Sequence, residues 1–385
     1  MRRITQKKDI EDVVSVTEAV RTPVENIYPV MIDSVTGSPD EVGTLLSLQD
    51  FLKLIIYPKL GEKTDKVTRP VGYLTMGYIL FLISIFLAMM AVHFRSLVIA
   101  LSSSVIFGLS VAILSTFSNT VIMKSNDPEK SLAKYIKMRG ALSLIFIILS
   151  SLIVFVSNSY FPVVVISVVL LIASLFVLKR TDCIISTKNE SAELRLGDIF
   201  TRGDLREITI LSIYASMIAS FSVIYSVLTF SHKVKAFALV PGVLSFLSLI
   251  LTSKVISSRV DHFMSRERLY SMVLIASILT FLNVFIGNII ISIPILFTVF
   301  TIASIIGVVR KVMIRRVTVS SFQKIESTIW SFTIVGSGTG KYLASMFAYG
   351  DGNTLIVITI ILSIIFLSKR RDLPALKCEV FRRKI

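Results

Sequence analysis

Ten apolar segments, each about long enough to cross a hydrocarbon core of ~30 Å as a helix, recur near residues 71–93, 96–122, 140–157, 160–178, 207–230, 236–256, 270–287, 289–309, 325–349 and 353–368. With 54% of 385 residues hydrophobic, only 17% charged and a mean hydropathy of +0.79, one soluble core cannot hide that apolar surface. The bilayer has to be the solvent. Two less apolar segments precede the ten: 42–60, interrupted by Gln49, Asp50 and Lys53, and 11–33, which holds Glu18, Arg21, Pro23 and Glu25.

Charge decides whether these two are spans. The basic residues cluster at the N-terminus, at Lys63 to Arg69, Lys124 to Arg139, Lys179 to Arg206, Lys254 to Arg268, Arg310 to Lys324 and Lys369 to Lys384, which together hold 34 of the 41 lysines and arginines. They recur at every second connection, the signature of loops on the cytoplasmic face. An even number of crossings must then separate the basic N-terminus from the Gly61 turn, and the two weak segments supply it. The expectation is an all-α, multi-pass protein of the cell membrane with twelve transmembrane helices, both termini cytoplasmic and the turn 34–40 outside. The same clustering removes nucleic acid as the partner that a formal charge of +16 would otherwise suggest.

The longest polar connection divides the chain into a first six-helix bundle, 1–178, a cytoplasmic linker, 179–206, a second bundle, 207–368, and a basic tail, 369–385. The halves echo each other. Gly43-Thr44-Leu45-Leu46-Ser47-Leu48 resembles Gly242-Val243-Leu244-Ser245-Phe246-Leu247, and the basic turn from Ser257 to His262 stands where Gly61 to Lys66 stands in the first half. Duplicated halves of this kind characterise secondary transporters with a central site.

Between spans 2 and 3 lies Gly61-Glu62-Lys63-Thr64-Asp65-Lys66-Val67-Thr68-Arg69, of the form G-x-x-x-D-K-x-x-R. Gly61 permits a sharp exit from the helix, and Asp65 is suited to accept hydrogen bonds from a nearby helix N-terminus. Four positions matched at this location, in a chain of six plus six spans, resemble the major facilitator superfamily over nearly the whole length. The resemblance implies a substrate moved by rocking of two bundles, with spans 1, 4, 7 and 10 lining the cavity, and gives Gly61, Asp65, Lys66 and Arg69 a gating role, Asp65 as a latch. The chain also departs from the family pattern. Thr68 stands where a second glycine is usual. Ser104, one turn before Gly108, occupies the place of an arginine found in many proton-coupled members, and 141–156 lacks the glycines and prolines of many antiporters.

Span 1 is the most unusual helix. Glu18, Arg21, Glu25 and Tyr28 form one stripe at helical spacing. Counting from Asp12 at 1.5 Å per residue, Arg21 and Glu25 lie about 14 to 20 Å in, near the midplane. A charge facing lipid there costs ~2.5 kcal/mol or more, so the stripe must face protein or water. Two readings stay open: contact with a polar substrate and a coupling proton, or internal satisfaction of Glu18 and Glu25 by Arg21. Asp50 and Lys53, three residues apart, fit a structural or gating pair. In span 11 the run from Trp330 to Lys341 places small residues where helices approach closely and slide, and Lys341 is a candidate to attract an anion, to pair with a carboxylate across the bundle or to snorkel. Asn119, Tyr214, Tyr225, Thr298 and Thr301 complete the candidate cavity residues.

Cys183 and Cys378 both map to the cytoplasmic side, and the three histidines lie apart, so neither a disulfide framework nor a metal site follows and no cofactor is expected. Without a catalytic constellation or a nucleotide-binding sequence, the expected function is a monomeric secondary transporter of a small polar or charged solute, with a proton as candidate co-substrate. The alternatives are a non-transporting receptor or scaffold on the same fold, and a drug-efflux antiporter.

Overall fold

The computed structural model describes residues 2–67, 69–123, 128–180, 203–263, 265–286, 288–317 and 322–348. The α-helices are α1 (Arg2–Asp33), α2 (Pro39–Lys66), α3 (Val71–Phe94), α4 (Leu97–Met123), α5 (Pro128–Ser157), α6 (Phe161–Arg180), α7 (Gly203–Lys233), α8 (Val240–Phe263), α9 (Arg266–Ile286), α10 (Ile289–Val317) and α11 (Phe322–Ala348), with a 3-10 turn at Lys235–Leu239 leading into α8. Among the described residues there are thus eleven α-helices and no strand. The expected twelfth span at 353–368, the tail 369–385 and residues 181–202 of the linker lie outside the described residues.

Eight of these helices are long and apolar enough to cross a membrane; α1, α2 and α11 do not meet that measure. Their packing explains the difference. The α11 helix lies between α2 and α7, α2 also packs on α4, and α1 packs on α5, α6 and α7. A helix enclosed by protein needs no apolar surface for lipid, so it tolerates Glu18, Asp50 or Lys341. The outer helices carry the lipid-facing side chains: Phe86 on α3, Val98 on α4, Phe155 and Val156 on α5, Phe176 on α6, Phe285 on α9 and Ile290 on α10 are all exposed. The expected span at 325–349 does form a helix as far as Ala348, the last of the described residues there, although its hydropathy falls short of its neighbours'.

Local signals set the ends. Ser38 caps α2 by accepting from the Glu41 amide, with Pro39 opening the helix, and α3 closes on Arg95 in the left-handed region at φ 50°. One expectation is corrected here. Gly61 does not release the chain from α2; the helix continues through it to Lys66 and ends at Val67 in extended geometry. Glycine tolerates the helix when flanking residues keep its ladder intact, and the Thr64 hydroxyl reinforces this stretch by donating to the Gly61 carbonyl at 2.8 Å.

Buried apolar side chains gather in two main clusters, one centred on α1–α6 and one built from α7–α10. The first six helices meet the later ones chiefly through α2 on α11 and α5 on α8. Small residues permit both approaches: a Cβ at Gly43 would meet Ser345 and Tyr342, one at Gly338 would meet Phe51, one at Gly242 would meet Ile147, and one at Gly140 would meet Ile250.

Candidate functional site

The interior charges fall into layers along the helix axes. Midway, Asp50 of α2 is the hub: one carboxylate oxygen pairs with Lys53 at 2.7 Å, and the other pairs with Lys341 of α11 at 3.0 Å and accepts from Ser337. The Ser337 hydroxyl in turn lies 2.8 Å from that of Ser220 on α7. One buried carboxylate therefore ties three helices together.

The α1 stripe forms a second group. Glu18 is enclosed; Arg21 pairs with it at 2.7 Å and Arg139 of α5 at 3.5 Å, while the Tyr78 and Ser118 hydroxyls donate to it at 3.4 and 3.3 Å. Arg21 also approaches Glu25 at 3.1 Å, misaligned for a hydrogen bond, and lies over the Phe81 ring at 5.5 Å. Between Thr17 and Pro29, only Glu25 and Asn26 escape full burial, Glu25 with 22% of its side chain exposed. Glu25 is therefore the one carboxylate of the stripe open to exchange with a solute or water.

Near the end of the bundle that carries the basic connections, Lys311 of α10 donates to Asn119 of α4 at 2.9 Å. Next to it Arg310 grips Glu326 through two bonds, at 2.9 and 3.3 Å, and stacks over Trp330 at 4.4 Å. Trp330 meets Tyr57 edge-on, and both line a narrow cleft with Asn119, Ser115, Thr116, Glu326 and Ser327. At the opposite end, Asp33 meets His232, Tyr342 donates to Asp40, and the Tyr160 phenol donates to the Lys235 carbonyl, each joining the first six helices to the later ones. The Tyr160 phenol is pushed up to about 12 by partial burial.

Several expected residues do not join these groups. Tyr28 is buried against α4, hydrogen-bonded to Ser103 and Ser104 at 2.9 and 3.1 Å and stacked on Phe107. Tyr225 stacks on Phe221 and reaches towards Val284, Tyr214 is half-buried on α7, and Thr298 and Thr301 donate to carbonyls of their own helix. Arg69 is exposed, and the side chains of Asp65 and Lys66 lie outside the described residues. The small-residue run in α11 does bring helices together: a Cβ on Gly336 or Gly340 would collide with the carbonyl oxygen of Ile213 or Met217 on α7.

Sequence reasoning missed Arg139, Arg310, Lys311 and Glu326 as interior groups. The first three fall with the basic loops in a hydropathy reading because the apolar runs stop beside them, yet α5 starts at Pro128 and α10 runs to Val317. Spacing offered a signal, since helical phase carries Arg139 onto the same face as the buried Tyr135 and Ile136 four and three residues before it.

No curated protein matches the chain by sequence. Among solved structures it is similar to the nucleoside transporter NupG and to a point mutant of NupG, at 12% and 13% identity, each with a TM-score of 0.66, covering 96% of this chain and 98% and 99% of theirs. It is also similar to a point mutant of the fucose:proton symporter FucP of E. coli, at 13% identity and a TM-score of 0.60, covering 92% of this chain and 98% of that one. At such identity these likenesses speak for the fold alone. The family model of the Major Facilitator Superfamily, however, matches residues 19–337, most of the chain, and the protein belongs to the major facilitator superfamily.

Proposed function

We propose that this chain is a secondary transporter that carries a small polar or charged solute across the membrane by alternating access, with the halves 1–178 and 207–368 rocking about the interior charges and the basic end facing the cytoplasm. Membership of the family and the likeness to transporter structures support a transporter over an enzyme. The observation that carries the mechanism is the ion pair from Asp50 to Lys341, a charge at membrane depth whose partner stands on the other half. Such a contact has two stable conditions, made and exchanged, as a rocking device requires.

The register of the interfaces supports two related bundles. The same shift in sequence carries Gly43 onto Gly242 and Phe51 onto Ile250, and a shift one residue shorter carries Gly140 onto Gly338 and Ile147 onto Ser345. The contacts of α2 with α11 thereby map onto those of α8 with α5. Bonds at both ends, Asn119 to Lys311 and Asp33 to His232, fit a conformation closed on each side. Glu25, partly exposed and ion-paired among the described residues only with Arg21, is the proposed site of proton coupling.

The test is uptake into sealed liposomes holding the purified chain, under an imposed pH gradient, with labelled sugars, nucleosides, carboxylates and phosphate. Saturable, counter-transported uptake is the expected result, and Glu25→Gln should abolish gradient-driven accumulation while sparing exchange. Binding without movement of any solute would replace this reading with a receptor or scaffold. Accumulation unchanged in Glu25→Gln would leave Glu25 a structural partner of Arg21.

A further inference from the structure

We infer that the solute is a small oxyanion, a carboxylate or phosphate, gripped between Arg139 of α5 and Lys311 of α10 at the basic end of the interior; the inference rests on the transporter reading above. Lys311 makes its one hydrogen bond, among the described residues, to neutral Asn119, and no carboxylate pairs with it there. The nearest acid on its side, Glu326, is committed to Arg310 through two bonds. Arg139 is held loosely, at 3.5 Å from Glu18 and 3.4 Å from the Tyr135 hydroxyl, and it stands near Lys311 because Glu18 also accepts from Ser118, the residue next to Asn119 on α4. Among the described residues its Nε has no acceptor, and neither has Nη1 of Arg21, a side chain only 3% exposed.

Counting charge gives the same answer. Arg21 and Arg139 face Glu18 and Glu25, Lys53 and Lys341 pair with Asp50 and have Glu25 in reach, and Lys311 adds a cation beside the Arg310–Glu326 pair, so these groups set six cations against four carboxylates. Arg310 and Glu326 cancel. Cations therefore outnumber carboxylates among these groups, with the buried Glu207 of α7 outside the count, and the idle atoms of Arg21 and Arg139 are N–H donors. Buried donors without acceptors are costly, and a guanidinium fork beside an ammonium is matched by an oxyanion that accepts from both. Arg139 and Lys311 also belong to different halves, so an ion held between them would join the halves while bound and release them when it leaves.

The experiment is thermal unfolding of the purified full chain in detergent, at constant ionic strength, with phosphate, acetate, succinate and citrate, and separately with neutral fucose and adenosine and cationic tetraethylammonium. Oxyanions alone should raise the midpoint, and the phosphate and carboxylate arms identify which is preferred. Lys311→Gln should weaken the effective oxyanion by about tenfold or more, and Lys311→Arg should restore most of it. Asn119→Asp places a built-in carboxylate against Lys311 and should erase the oxyanion response in a folded protein, an effect that a merely structural Lys311 would not produce. If Lys311→Gln fails to fold, Asn119→Asp and Lys311→Arg decide alone. Stabilisation only by neutral or cationic probes, no response to any oxyanion, or a response unchanged in Asn119→Asp overturns the inference. Oxyanion binding through Lys311 without uptake would refute the transporter reading and keep this site, whereas uptake of a neutral solute indifferent to oxyanions would do the reverse.

Discussion

Replacing Asp50 by Asn removes one charge and little volume, and it strands two lysines. In the native protein the carboxylate compensates Lys53 and Lys341, whose side chains are 10% and 17% exposed, and accepts from Ser337. Removing one partner of a buried ion pair costs about 3–5 kcal/mol; because water still reaches both ammonium groups, the loss belongs near ~3 kcal/mol. With an unfolding entropy of ~2.1 cal/mol/K per residue, a chain of 385 residues shifts by roughly 4 °C. Fluorescence of Trp330, the only tryptophan, gives the melting curve in detergent from within α11 itself. In a double-mutant cycle with Lys341→Gln the losses should fail to add by about 1–3 kcal/mol. The combined change Asp50→Leu, Lys53→Met and Lys341→Met should melt near the native temperature, since a buried ion cluster exchanged for apolar groups is often neutral or better, while losing transport. An Asp50→Asn protein melting within about 1 °C of native, or strict additivity with Lys341→Gln, would show that the ion pair is not what joins α2 to α11.

Gly336→Ala and Gly340→Ala should each destabilise by about 1–3 kcal/mol through overpacking against α7, seen as a lower melting temperature, whereas Gly307→Ala, with open space around it, should be neutral or gain up to ~1 kcal/mol in helix propensity. Tyr28→Phe should lose about 0.5–1.5 kcal/mol with its bonds to Ser103 and Ser104 and leave solute affinity unchanged, as titration of the melting shift with solute would show. The Tyr160 phenol, raised to about 12 in the fold from an ordinary 10, contributes its stability fully below pH 10 and loses it as pH climbs through 12; melting curves across that window should flatten in Tyr160→Phe.

Hydropathy and basic clustering were enough to locate every described helix, including the weakly apolar α1 and α2, because the positive-inside pattern demands an even number of crossings before Gly61. Helix ends were less legible. An apolar run reports where lipid begins, and a helix continues until its backbone donors are capped, so α5 and α10 carry Arg139 and Lys311 inside although a hydropathy reading leaves both in loops. The stripe of Glu18, Arg21 and Glu25 was readable from spacing; that Arg139 would share Glu18 was not, since it comes from a helix more than a hundred residues away in sequence.

The internal echo helps with the last part of the site at the points where it breaks down. Shifting α2 onto α8 in the register of Gly43 and Gly242 puts Asp50 on Leu249, and shifting α11 onto α5 in the register of Gly338 and Gly140 puts Ser337 on Arg139 and Lys341 on Ser143. The glycines and the packing residues keep their counterparts because both interfaces must bring two helices equally close. The charges do not, because each is set against a partner that the other copy lacks. A scaffold duplicated in the way proposed above would conceal its working residues from any search for repeats, since two of the positions at which the registers disagree, Asp50 and Lys341, are those where an ion pair joins α2 to α11.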